Sequence, residues 1–301
     1  MTPTARPTAA VNASRTDMRV RSRRRRLLRD GLSKSVVFTF LLIFGISFAL
    51  PLFWMISTSL KTNEQLVSIR PIWIPNPIRW SNYTRAVESM NFLEQTRNTL
   101  TVCFLALAGQ VVSSSLAGYG FSRVNWRGRE IVFILVLTTM MLPGQVTMIP
   151  LFIVFRNLHW IDTLKPLFVP SMLGAAFYIF LFRQFFLALP SELNDAARID
   201  GCNEFAIYWR IILPLSKPVI ATVALFTFLT HWNDFQGPLI YLQSADRYTL
   251  SLGLQVFSGR SSMDMTALMA ATALVSLPAI LLFFFTQRTF IQGIALTGLK
   301  A

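Results

Sequence analysis

Residues 189–218 read LPSELNDAARIDGCNEFAIYWRIILPLSKP, the one sizeable interior stretch that is neither uniformly apolar nor a short link. Ser191 stands as an N-cap, with Glu192 and Asp195 in the first turn, where the positive end of a helix dipole favours acids. Leu193, Ala196 and Ala197 share one small apolar face. Asp200-Gly201 offers the left-handed residue that stops a helix. Asn203 caps a second helix, in which Phe205, Tyr208, Trp209 and Ile212 follow i, i+3, i+4, i+7 spacing. Pro214 and Pro218 end it. Two short helices result, joined at Gly201 and held between long apolar segments. The stretch carries no nucleophile beside a base and no group of metal ligands. It reads as a handle, because an exposed pair of alanines beside a glycine turn lets a partner's surface come close.

The 301 residues are 53% hydrophobic, with a mean hydropathy of +0.50. That is more apolar surface than one soluble core needs, and it predicts a multi-span membrane protein. The net charge of +14 invites a nucleic-acid reading, but 10 of the 28 basic residues lie before Val36. A basic run directly before an apolar span sets orientation and touches anionic lipid. The central stretch balances Glu192, Asp195, Asp200 and Glu204 against Arg198, Arg210 and Lys217, so it is no polyanion surface, and no nucleic-acid partner is expected. The first apolar segment is too long for a signal h-region and lacks a small-residue exit, so it is expected to be retained as a helix. Two cysteines, Cys103 and Cys202, and two histidines, His159 and His231, supply neither a disulfide framework nor a zinc site. No serine motif accompanies His231, so no catalytic residue and no metal site are expected.

Six apolar segments, at about 36–57, 96–122, 131–155, 165–187, 219–242 and 267–285, each approach the roughly 20 residues that a hydrocarbon core demands. They sit between a basic, disordered tail (1–35) and a short C-terminal tail (289–301), both placed in the cytoplasm. On that topology the inner segments, Arg183 included, hold 19 basic residues and the outer ones 9, as the positive-inside rule requires. Gly109, Ser113 and Ala117 in the second segment, with Ser114 and Gly118 beside them, form a small-xxx-small pattern for close helix contact. Pro143-Gly144 in the third should kink or unwind it, and irregular backbone at membrane depth survives only against protein or a wet cavity. Arg183 in the fourth can snorkel toward the inner surface. The fifth carries the costliest group, His231, Trp232, Asn233, Asp234, Phe235 and Gln236. An acid at that depth marks a pathway, and Asn, Asp and Gln beside Trp are side chains suited to sugar hydroxyls and a ring face. Trp232, Asn233, Asp234 and Gln236, with Pro143 and Gly144, are the candidate substrate path. Pro278 is expected to interrupt the sixth.

The central stretch resembles the EAA motif of ABC-importer permeases: an acid, two alanines, three residues, glycine, nine residues, isoleucine, one residue, Leu-Pro. Here these are Asp195, Ala196, Ala197, Gly201, Ile211, Leu213 and Pro214, with Asp where the family usually has Glu. SLKTNE and IWIPNPIRWSNYTRA, MLPGQVTMIPLFIVFRNLHWIDT, WNDF, and QRTFIQGIALTGLKA also resemble segments of carbohydrate-importer permeases of the maltose type. The resemblance covers most of the chain from about residue 36. It implies an all-α, polytopic fold of six transmembrane helices, that of type I ABC importer permeases, in a bacterial inner or plasma membrane. It further implies a second, homologous permease chain, two cytoplasmic ATPases that use ATP and Mg, an extracytoplasmic sugar-binding protein, and a C-terminal tail that contributes to ATPase contact.

No G-x-x-x-x-G-K-[ST] loop is present, so this chain cannot cradle nucleotide phosphates and binds no cofactor of its own. Nor does it carry the series of buried acids that a proton-driven transporter of different energy source would need. Energy is therefore expected to arrive through 189–218, whose motion the fourth and fifth spans follow. Among solutes, a phosphate such as glycerol 3-phosphate, carried by related permeases, would favour Arg or Lys on the path. The amide and acid groups of the fifth span favour a neutral sugar or oligosaccharide instead.

Overall fold

A computed structural model describes the backbone of residues 8–257 and 264–298, and the side chains of 34–257 and 264–286. Among the described residues all regular structure is helical, as expected. Contacts divide the chain at the Ser57–Thr58 boundary into two units.

Helix α1 (Thr8–Ser59) makes up the described part of the first unit and ends two residues past it; its apolar part, Lys34–Ser59, is long enough to cross a membrane. Phe40, Phe44 and Phe48 lie along one side of it with tilted rings, centroids 4.5 and 6.4 Å apart. The helix corrects the expectation of a disordered tail over 1–35, since regular backbone begins at Thr8. Arg, Leu and Ala are good helix formers, and each residue added to an existing helix gains a hydrogen bond without a new nucleation cost. Residues 1–7 lie outside the described residues.

In the second unit a short helix, α2 (Ser81–Ser89), precedes α3 (Phe92–Ser122), an unbroken 31-residue helix through the expected second span. The third span is two helices, α4 (Arg129–Thr138), prolonged by a 3-10 turn to Met141, and α5 (Gly144–Asn157). Pro143 is extended at ψ 134°, and the chain turns there through 97°. The sequence predicted a kink or unwinding at this dipeptide, and the structure makes it a corner. The fourth span also breaks. Two short turns, Lys165–Phe168 and Pro170–Leu173, lead to Gly174 at φ 82°, after which α6 (Ala176–Ala188) starts afresh. The central stretch follows as α7 (Glu192–Ile199) and α8 (Glu204–Ile207), the latter continued by a wide π turn, Tyr208–Ile212, and by Leu213–Leu215. The fifth span, expected as one helix over 219–242, is α9 (Lys217–Trp232) and α10 (Gln236–Tyr241), separated at Asn233–Phe235.

The last helix, α11 (Met265–Gly298), runs through Pro278 without interruption, a further correction. Proline is tolerated in a membrane helix where neighbours satisfy the freed carbonyls. Here the Trp232 indole donates at 3.1 Å to the Val275 carbonyl, next to the Leu274 carbonyl that loses its i+4 donor to the proline. The expected C-terminal tail is helical as far as Gly298; its side chains and residues 299–301 lie outside the described residues. Among the described residues, four helical runs can cross a membrane by length and composition, or up to six if each of two bent pairs counts as one span.

Small residues of α3 do what their spacing predicts. A Cβ on Gly118 would stand 2.6 Å from that of Phe182, and one on Gly109 would stand 2.9 Å from the Met172 Cα. Both halves of the fourth span can therefore lie directly on α3. Arg183 does not snorkel. Its guanidinium bonds both oxygens of Glu130 at 2.8 and 2.9 Å, donates to the Phe121 carbonyl, and lies 4.2 Å from the Phe133 ring centroid. A fixed carboxylate and a ring on neighbouring elements hold the charge better than a reach for water.

Among the described residues, three apolar clusters form the core. One joins α7, α8 and the π turn to α6 and α9 through Phe182, Phe186, Ile207, Tyr208, Ile212 and Val223. A second joins Phe155, Leu167, Tyr241, Leu242, Val102 and Leu252. The third gathers Ala86, Met90, Trp232 and Leu250 around Ala267, Ala270 and Ala271 of α11. The Pro143 corner, the Gly174 break and the Asn233–Phe235 break each separate a segment that feeds the second cluster from a segment that does not.

Candidate functional site

The turn at Gly201 is built as a Schellman motif. Cys202 N–H bonds the Ala197 carbonyl at 2.9 Å and Gly201 N–H bonds that of Arg198 at 3.1 Å, with Gly201 at φ 82°. Asn203 caps the next helix through Ala206 N–H at 2.8 Å. Ser191 occupies the cap position of α7 without a side-chain cap bond, because its own backbone is already helical (φ −70°, ψ −28°). The cap expected there is corrected to that extent.

The two alanines face opposite ways. Ala197 is buried and packs with Ile207 and Phe186, whereas Ala196 is exposed beside Leu193. The expected four-residue face of the second helix also divides: Tyr208 and Ile212 are buried, and Phe205 and Trp209 are exposed and stacked at 6.4 Å. The split follows the i, i+4 pairs, 205 with 209 and 208 with 212, which lie one above the other while i and i+3 diverge across the edge of the buried face. Ile211 and Leu213 are half-buried against the same cluster. Pro214 begins the short turn Leu213–Leu215, after which the chain bends 78° into α9. The outward surface of the loop is therefore apolar, with Ile199 at 87% exposure, Phe205 at 66% and Trp209 at 57%. Asp195 pairs with Arg198 at 3.2 Å, and Arg198 turns to Glu204 at 2.9 Å. These ion pairs are too exposed to add much stability, but they span the Gly201 turn and fix its outline.

The loop is also bolted to α3, which spacing alone did not reveal. Tyr119 donates to Glu204 at 2.7 Å, and the hydroxyls of Ser115 and Tyr208 lie 2.7 Å apart. Arg123 bonds the carbonyls of Phe186 and Leu189 at the end of α6, as a cation at a helix C-terminus should. Burial depresses the affinity of that guanidinium for its proton. The one sequence signal for these contacts is the run of Ser, Tyr and Arg at the end of an otherwise apolar helix.

In the fifth span the candidate path residues separate. Trp232 is 2% exposed, stacked on Phe228 at 5.3 Å and bonded to Val275, so it is a packing residue; its place among the candidate path residues is corrected. Asp234 caps α10 by accepting from Gly237 N–H at 3.0 Å. Asn233 and Gln236 are exposed, and Gln236 reaches the Met148 sulfur on α5 at 3.3 Å. That contact brings the helix that starts at Gly144 against the polar break, and nothing lies within 4 Å of where a Gly144 Cβ would stand. His231 and Ser171 form a pair, with Nε2 and Oγ 3.0 Å apart, contrary to the expectation that no serine meets this histidine. The break before Gly174 brings Ser171 there from another span. The His231 Nδ1 is engaged by the Thr227 carbonyl at 2.8 Å rather than by a carboxylate, so the pair lacks the orienting acid of a nucleophilic triad. Elsewhere, Asp162 accepts from Gln243 N–H, Ser244 N–H and the Ser244 hydroxyl, which joins the chain before the fourth span to the chain after the fifth. Those bonds, the Ser244 hydroxyl first, hold its carboxyl below the usual range.

The chain resembles known proteins along most of its length. It is 33% identical over 264 residues to the arabinooligosaccharides transport system permease protein AraQ of Bacillus subtilis (strain 168), covering 87% of this chain and 94% of that one. It is 31% identical over 266 residues to the lactose transport system permease protein LacG of Rhizobium radiobacter, covering 88% and 96%. It shares its fold with a chain in the crystal structure of a bacterial ABC transporter involved in the import of alginate, at TM-score 0.75 and 23% identity, covering 86% of this chain and 96% of that one. The family model for binding-protein-dependent transport system inner membrane components matches residues 110–295. A multi-pass helical chain with this central loop, matched by that model over more than half its length, belongs to the binding-protein-dependent transport system inner membrane components.

Proposed function

We propose that this chain is the permease subunit of an ATP-driven importer that carries a sugar or oligosaccharide across a bacterial inner membrane by alternating access. It performs no catalysis of its own; ATP and Mg are used by two cytoplasmic ATPases. A homologous second permease chain completes the pathway, and an extracytoplasmic saccharide-binding protein delivers the solute. The observation that carries this assignment is the loop at Asp195, Ala196, Ala197, Gly201, Ile211, Leu213 and Pro214. It presents an apolar outer surface and is fastened through its inner surface to three spans. Such an element takes a push from a partner and passes it into the bundle. The names of the relatives support a saccharide cargo.

The solute passes the polar break of the fifth span, where Asn233 and Gln236 offer amides beside the Pro143-Gly144 corner. Asp234 holds that break open. The N- and C-termini and the central loop face the cytoplasm. Two measurements test this. The retained ligand of the partner binding protein, and uptake of that ligand by the assembly in liposomes, should both be saccharide; uptake of only a charged, non-carbohydrate solute would refute the cargo. A membrane-impermeant maleimide should label Cys202 in inside-out vesicles and not in intact cells. Labelling from outside would place the loop on the wrong side.

A further inference from the structure

The fourth span breaks inside an apolar run long enough to cross a membrane. Unpaired amides and carbonyls in apolar surroundings are costly, so what satisfies this break is informative. The partner is Gln110, 2% exposed, on the unbroken helix α3. In the amide orientation that satisfies both ends, its nitrogen donates to the Ser171 carbonyl at 3.1 Å. Its oxygen accepts from Ala175 N–H at 2.8 Å and from the Ser114 hydroxyl at 2.6 Å. One side chain thus serves the backbone on both sides of Gly174, whose own N–H reaches the Ser171 carbonyl only at 3.4 Å. From the opposite side His231 holds the Ser171 hydroxyl at 3.0 Å. The segments on either side of the break belong to different clusters: Leu167 packs with Phe155 and Tyr241, and Phe182 and Phe186 pack with the central loop.

We infer that Gly174 is a hinge in the fourth span and that Gln110 is its positioning residue, supplying the backbone hydrogen bonds that a bending span gives up. The inference rests on the transport function proposed above. The push received by the central loop moves α6 and stops at residues 171–175, while Lys165–Leu173 stays with the outer loops. A primary amide suits this role because it offers a donor and an acceptor together, and both can follow a shifting backbone. His231 carries the hinge position to α9 through a hydroxyl that can donate or accept.

The hinge is tested on the assembled importer in lipid nanodiscs by hydrogen exchange with and without bound ATP. Exchange over residues 171–177 should change about fivefold or more on ATP binding while that over 181–188 does not, since local opening is confined to the hinge. Equal responses, or none in either segment, would overturn the hinge. Uptake in liposomes tests the residue. Gln110→Leu should transport at least about tenfold less than wild type at every pH. Gln110→Glu should transport poorly at pH 8 and recover toward wild type at pH 6, because only the protonated acid can both donate to Ser171 and accept from Ala175. Wild-type uptake by Gln110→Leu, or the same pH profile for both variants, would refute its role. Failure of the wild-type assembly to import any saccharide would sink the transport function instead, and the exchange result would still decide the hinge.

Discussion

Gly201 separates two demands that usually coincide, the backbone conformation of a turn and the clearance a partner needs. At φ 82° a residue with a Cβ is strained by about 1–2 kcal/mol, and asparagine by less. Among the described residues nothing beyond its immediate neighbours lies within 4 Å of the position a Cβ would take, so they do not resist bulk there. Gly201→Ala and Gly201→Trp therefore carry the same backbone cost, and both should lower the melting temperature of the purified subunit by a similar few degrees. They differ only toward whatever approaches from outside. If an ATPase surface seats against this turn, the indole must displace it, at about 1–3 kcal/mol for an overpacked contact. Uptake by the tryptophan variant should then fall roughly 5- to 100-fold below that of the alanine variant at equal membrane abundance, and the asparagine variant should stay near wild type. The assay is radiolabelled saccharide uptake by the reconstituted assembly, normalised to subunit quantified in the same liposomes. A tryptophan variant that transports within twofold of the alanine variant would refute the docking argument, whatever the turn contributes to stability.

Asp162→Ala should destabilise the second unit by about 2–3 kcal/mol, since three hydrogen bonds to one carboxylate are lost. Because the carboxyl is held below its usual 3.8, its contribution is fully present above that value and fades as pH falls through the folded one. Melting scans from pH 6 to pH 3 should show a fall in wild type that is smaller in Asp162→Asn; parallel curves would count against it. Glu130→Ala leaves the Arg183 charge, whose side chain is 12% exposed, without its carboxylate, and should cost about 1–3 kcal/mol. A double-mutant cycle with Arg183→Met should recover part of that loss, and strict additivity would mean the pair is uncoupled. In the fifth span, Trp232→Phe should lower thermal stability and leave the KM for uptake unchanged, whereas Asn233→Ala and Gln236→Ala should raise KM with little effect on melting. The opposite pattern would remove the polar break from the pathway.

Six apolar segments and the two-helix loop between the fourth and fifth could be read directly from the order of residues. Burial in lipid and helix termination are both written locally, in runs of about 20 apolar side chains and in Asn203, Gly201 and Pro143. The dipeptide at 143–144 announced an irregularity because proline removes a hydrogen bond wherever it sits. What remained illegible depends on neighbours from elsewhere in the chain. Trp232 looked like part of a sugar site because its sequence neighbours are polar, and only the packing of α9 on α11 shows that its ring is enclosed. Arg183 looked free to reach water until Glu130 and Phe133, some fifty residues earlier, arrived beside it. The break at Gly174 was hidden among apolar residues that read equally well as one helix, although Pro166, Pro170 and Gly174 lie within it. Its stability comes from Gln110, a side chain on another span, and no local pattern records that such a partner exists. The order of residues thus determined which segments are apolar enough to cross a membrane and where the chain must turn, because those choices are made against solvent or lipid. The tertiary structure decided which polar groups are satisfied, by whom, and therefore which of them remain available to a solute or a partner.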